Sequence, residues 1–118
     1  QCQEVADAFQ ISKAHLVKCV HQLGQWGFLQ SVRGRGGGFR LLRPAEEISV
    51  GAVIRQTEDT LELVECFNST TNRCPLISQC KLNQTLMRAM KNFMDEMDKV
   101  TIADITANQK DLLALLQP

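Results

Sequence analysis

The sequence contains no apolar run that approaches the length needed to cross a bilayer and no secretory leader pattern. A membrane-spanning helix is therefore not expected. It carries no net charge, with 13 Lys and Arg against 13 Asp and Glu, so the total points to no class of partner. No Ser/His/Asp set, catalytic carboxylate pair or Gly-Lys-Ser/Thr phosphate loop occurs, which argues against an enzyme. The Cys-x2-Cys and Cys-x4-Cys pairs usual in small zinc modules are also missing. Cysteines number five, and Cys2 and Cys19 fall within apolar helical patterns. An odd count so placed does not suit a secreted disulfide framework and points to a reducing cytoplasm. The sequence lacks an initiator Met and starts inside a helical pattern, so a preceding N-terminal piece is expected.

What is present suits a folded protein. The 118 residues are 44% hydrophobic, ordinary for a globular chain and too apolar for a disordered one. Charge is unevenly spread. Up to Arg43 the bases Lys13, Lys18, Arg33, Arg35, Arg40 and Arg43 face only Glu4 and Asp7, whereas acids collect later. A basic first part joined to an acidic second part suggests an anion-binding module with an extension.

Glu4 to Phe9 reads as a short helix. Ser12 is a good N-cap for a second, Lys13 to Leu23, in which Leu16, Cys19, Val20 and Leu23 share a face and Gly24 is expected to stop the helix. Two short helices around a tight turn form a helix-turn-helix, whose second helix can enter a DNA major groove. Two short strands then flank the Gly-rich turn from Arg33 to Gly38, one within Trp26–Val32 and one within Phe39–Leu42. Such a hairpin after a helix-turn-helix is a wing, and its arginines suit phosphate or minor-groove contact. The expected DNA-contacting residues are Ser12, Lys13, His15, Lys18, Arg33, Arg35 and Arg40.

Ile48 to Arg55 reads as a connecting helix capped by Ser49. From Cys80 onward Leu82, Leu86, Met90, Phe93, Met97 and Val100 form an apolar seam of roughly five helical turns, widened by Met87 and Met94. The basic part is too small to cover so long a helix, which predicts pairing with the same helix of a second subunit. Thr101 to Asp104 resembles a capping box opening a last short helix, before the apolar run Asp111 to Leu116.

Cys66, Cys74 and Cys80 stand apart from the other cysteines, in the pattern C-x7-C-x5-C across a polar, Asn-, Ser- and Thr-rich loop. Three thiolates select zinc or iron–sulfur centres over calcium or magnesium. The wide spacing suits a bulky cluster better than a single ion. A cubane cluster needs four ligands, so a carboxylate, water or the other subunit must complete it. Such a cluster should be labile and open to small diatomic molecules. Alternatives are a zinc-binding DNA-binding dimer and a thiol redox switch without iron.

The stretches Ser12–Lys18, Val32–Gly38, Val64-Glu65-Cys66, Cys74-Pro75-Leu76-Ile77 and Val100–Ile105 together resemble the nitrite- and nitric-oxide-sensitive repressors called NsrR. The resemblance covers nearly the whole chain. It implies a homodimeric winged-helix repressor on double-stranded DNA, at a palindromic operator, with a 4Fe-4S or 2Fe-2S cluster held by Cys66, Cys74 and Cys80. Nitric oxide would then release the DNA and derepress detoxification genes. Related regulators sense iron–sulfur supply instead. Family members begin with a helix before Gln3-Glu4-Val5, and in some a carboxylate from the partner's copy completes the cluster; no residue here can inherit that role. The expected fold is mainly α: a winged helix-turn-helix over residues 1–43 without its first helix, a connecting helix over 44–64, a cysteine loop over 65–81, and a long dimerisation helix with its tail over 82–118.

Overall fold

The computed structural model describes residues 2–34, 37–58 and 61–116. Two compact units form, Gln1–Ile48 with Thr101–Pro118 and, separately, Ser49–Val100.

In the first unit, helices α1 (Cys2–Phe9) and α2 (Lys13–Gln25) build the helix-turn-helix. The turn between them is a helix C-cap in which Gln10 takes a left-handed φ of 54°. Its amide donates to the Asp7 carbonyl at 3.3 Å, and the Ile11 amide donates to the Ala6 carbonyl at 3.0 Å, satisfying two end carbonyls of α1. A side chain in this conformation costs about 1 kcal/mol or more. Gln10→Gly is therefore expected to stabilise the fold by about 0.5–1 kcal/mol, read as a higher urea midpoint at unchanged slope.

Helix α2 begins as expected, with Ser12 Oγ accepting from the His15 amide at 3.3 Å. Leu16, Cys19, Val20 and Leu23 are half-buried, and Lys13, His15, Lys18, His21 and Gln22 are exposed. The helix does not stop at Gly24. It runs to Gln25, and Gly27, at φ 86°, takes the left-handed position. The Phe28 amide donates to the Leu23 carbonyl at 3.0 Å and the Gly27 amide to the Gly24 carbonyl at 3.1 Å, which fixes the end two residues beyond the expected Leu23. This delivers Phe28 inward, where it is buried, as are Ala6 and Ile48 of the same unit.

Strands β1 (Leu29–Val32) and β2 (Gly38–Leu41) pair antiparallel, Leu29 opposite Leu41 and Val32 opposite Gly38. At the tip, the Gly37 amide donates to the Gly34 carbonyl at 2.9 Å. A Cβ on Gly37 would overlap the Val32 carbonyl oxygen and lie 2.7 Å from that of Gly34, so only glycine fits there. This unit is completed by α5 (Ile102–Ile105) and α6 (Gln109–Leu116). The capping box of α5 is present, with Thr101 Oγ1 accepting from the Asp104 amide at 3.1 Å and Asp104 Oδ2 from the Thr101 amide at 2.9 Å. The Ile102 amide donates to the Ile48 carbonyl at 2.9 Å, tying α5 to the segment that buries Ile48.

In the second unit, α3 (Val50–Thr57) packs against α4 (Lys81–Lys99). Ser49 Oγ caps α3 by accepting from the Ala52 amide at 2.9 Å. The two helices approach at Gly51, where a Cβ would overlap the Asp98 carboxylate and lie 2.9 Å from the Asp98 backbone nitrogen. Arg55 forks onto the same carboxylate through its two terminal guanidinium nitrogens. The buried line of α4 is not the expected seam. Met94 and Asn83 point inward, 5% and 8% exposed, while Leu82 and Phe93 remain 63% and 48% exposed. The inward pair lies roughly 100° round the helix from the exposed pair. The apolar surface is thus wider than α3 covers, and its outer edge is left open. Among the described residues no helix is long and apolar enough to cross a membrane.

Candidate functional site

The cysteine segment belongs wholly to the second unit. A 3-10 turn over Glu65–Phe67 carries Cys66, a second over Ile77–Gln79 precedes Cys80, and Cys80 itself caps α4. Between them the chain is held by its own asparagines. Asn68 Oδ1 accepts from the Thr70 amide, and Asn72 Oδ1 accepts from the Cys74 amide, each at 3.0 Å. These side chains supply the turn bonds that a short polar loop cannot take from a ladder. All three thiols are free and half-buried.

Two of the sulfurs share one neighbour. The Asn83 side-chain amide Nδ2 donates to Cys66 Sγ at 3.1 Å, and the Asn83 backbone amide donates to Cys80 Sγ at 3.3 Å. A chain separation of 17 residues between Cys66 and Asn83 is closed by this contact. Cys74 follows Asn72 in the same loop, its backbone amide donating to the Asn72 side chain. Among the described residues no three His, Cys, Asp or Glu side chains are gathered as a ready metal site. The donor set nonetheless fits a soft-metal or iron–sulfur group: three reduced thiols on one short segment, two of them already accepting N–H hydrogen bonds. Asn83 was not visible in the sequence reading. Its signal there was slight, a polar residue three positions after Cys80 on a helix otherwise read for its apolar seam.

In the first unit the expected DNA-contacting side chains separate by what they touch. Lys13, His15 and Lys18 are exposed on α2, while Ser12 has its Oγ committed to the helix cap. His15 Nε2 also lies 3.8 Å from Cys19 Sγ. Arg33 is exposed before the wing tip. Arg40 is exposed on β2, and with the Gln30 amide turned to face it, Gln30 accepts from Arg40 Nε at 2.8 Å. Arg35 lies outside the described residues. Arg43, read only as part of the basic bias, sits with its guanidinium 5.8 Å from the centre of the Phe28 ring.

Known proteins resemble this chain in sequence and fold. The HTH-type transcriptional regulator NsrR of Shouchella clausii (strain KSM-K16) is 45% identical over 115 residues, spanning 98% of this chain and 77% of that protein. Among solved structures, IscR of T. potens superposes with a TM-score of 0.68 at 22% identity, covering 95% of this chain and 72% of that one. CymR, the global cysteine regulator of B. subtilis, gives 0.69 at 22% identity, covering 92% and 78%. These two establish the winged-helix fold. Residues 1–108 match the Rrf2 model, described as an iron-dependent transcriptional regulator, and the chain belongs to the Rrf2 family of transcriptional regulators.

Proposed function

We propose that this protein is a cytoplasmic transcriptional repressor, not an enzyme, that responds to nitric oxide through an iron–sulfur cluster held by Cys66, Cys74 and Cys80. The observation that carries the reading is the trio of free thiols, two of them on Asn83, in a chain 45% identical to an NsrR regulator. When bound, the cluster supplies thiolate-ligated iron, the chemistry with which nitric oxide reacts. The protein's own residues do the rest. Lys13, His15 and Lys18 on the exposed side of α2 face the major groove, and Arg33, Arg35 and Arg40 of the wing contact phosphates or the minor groove. Ser12 fixes the start of α2 and offers its hydroxyl to the backbone of the duplex.

A second copy of the chain covers the outer edge of α4, where Leu82 and Phe93 are exposed beside half-buried Leu86. A two-fold dimer then matches a palindromic operator. The test is anaerobic isolation and an absorption spectrum before and after nitric oxide, with binding followed on a duplex that the protein itself selects from random sequence. Thiolate-to-iron bands that nitric oxide bleaches, together with loss of the duplex, are expected. A colourless protein holding stoichiometric zinc would overturn the cluster. The free thiols also favour a second reading, a thiol redox switch, which requires DNA binding that peroxide alters and iron does not.

A further inference from the structure

Asn83 is placed unlike any other polar residue of α4. It is 8% exposed, whereas the helix's charged side chains lie outward or at its edge. Burying an amide costs free energy unless its hydrogen bonds are made, so a residue of this kind persists where its donors have work. Each of its two nitrogens donates to a sulfur. The side chain reaches Cys66 Sγ at 3.1 Å, and the backbone amide reaches Cys80 Sγ at 3.3 Å. The backbone bond is an ordinary helix cap that any residue at this position could supply. The side-chain bond needs an uncharged amide that reaches the sulfur: Leu has no donor, and Asp would bring a negative charge to the sulfur.

We propose that Asn83 is a positioning residue of the cysteine site, whose buried side-chain amide holds Cys66 beside Cys80 and stabilises the sulfur of Cys66 in its anionic, metal-bound form. The proposal rests on the reading that these cysteines bind a metal centre, and it assigns a residue that is not itself a ligand. An N–H donor to a ligating sulfur offsets the negative charge on that sulfur, which slows loss of the metal and raises the potential at which the centre takes up an electron. A residue serving only to pack α4 would move neither quantity.

The experiment compares wild type, Asn83→Leu, Asn83→Asp and Asn83→Gln, isolated anaerobically with their metal. Release of iron to a chelator is expected to be roughly tenfold faster or more in Asn83→Leu, the usual scale for losing a partner of a metal ligand. Its reduction potential should shift to lower values. Asn83→Asp should release iron faster still, and Asn83→Gln, which keeps the amide, should recover part of the retention. Should Asn83→Leu not fold, as judged by circular dichroism, the Asp and Gln variants decide the matter. Release rates and potentials equal to wild type in the donor-free variants would overturn the proposal. A wild type that carries zinc instead would sink the cluster reading alone, because release of zinc to the same chelator still ranks the variants. A wild type that holds no metal would sink both.

Discussion

Replacing Cys74 with alanine is expected to abolish metal retention while changing folding stability by less than about 1 kcal/mol. The asymmetry follows from what each sulfur touches. Cys66 Sγ satisfies the buried Asn83 amide, so Cys66→Ala leaves a buried donor without its partner, at about 1–3 kcal/mol. Cys80 Sγ caps α4, and a lost cap costs roughly 0.5–2 kcal/mol. Cys74 hydrogen-bonds through its backbone amide, which donates to Asn72 Oδ1 and survives the substitution, and its side chain is no more than half-buried. The three alanine variants should therefore be alike in losing iron and unlike in stability, with Cys74→Ala the mildest. Iron and sulfide analysis of anaerobic protein, set beside urea unfolding of the metal-free forms, checks both halves. A Cys74→Ala protein that keeps its iron and visible bands would remove this residue from the ligand set.

The same distinction between local and distant causes explains what could be read from the sequence. Helix starts were legible because a cap is a local event: Ser12, Ser49 and the Thr101–Asp104 box each bond within three residues, where the structure has them. The end of α2 was not. Gly24 and Gly27 are equally able to take a left-handed turn, and the burial of Phe28 decides between them. The wing was legible from its glycines and flanking strands, apart from its start, which moved when Trp26 and Gly27 went to the helix end. The three loop cysteines stood out by composition and spacing. That Cys66 and Cys80 meet on Asn83 could not be read, since a reversal of the chain across the polar loop is needed to bring them together. On α4 the periodicity gave the helix and its wide apolar surface. Which strip lies inward depends on where α3 approaches, and Gly51 fixes that point.

Gly51→Ala is expected to destabilise the second unit by about 1–3 kcal/mol, and Gly51→Val by the upper part of that range or more. In an open helix the change to alanine would help, by about 1 kcal/mol of intrinsic propensity. Here the added Cβ would overlap the Asp98 carboxylate, which can swing away, and would also lie 2.9 Å from the Asp98 backbone nitrogen, which cannot. Swinging the carboxylate away breaks the fork from Arg55. That hydrogen-bonded guanidinium holds the Asp98 carboxyl below its usual range, chiefly through the hydrogen bond, which outweighs the opposing effect of desolvation, with the Arg55 charge adding a smaller share. Because the folded-state value is lowered, the contribution of the pair is complete above the ordinary carboxylate pKa of about 4. It is lost as pH falls through the lowered value. Gly51→Ala should weaken this acid-side dependence as well as lower the urea midpoint at neutral pH. A double-mutant cycle with Asp98→Ala separates the causes: the carboxylate part of the clash vanishes in the double variant and the backbone part stays. Gly24→Ala is the control, since its Cβ would meet only the Leu29 carbonyl at an ordinary 3.5 Å and should be neutral or stabilising. Equal effects at positions 24 and 51 would mean that α3 and α4 are not in close contact, and the wide apolar surface of α4 would then need another explanation.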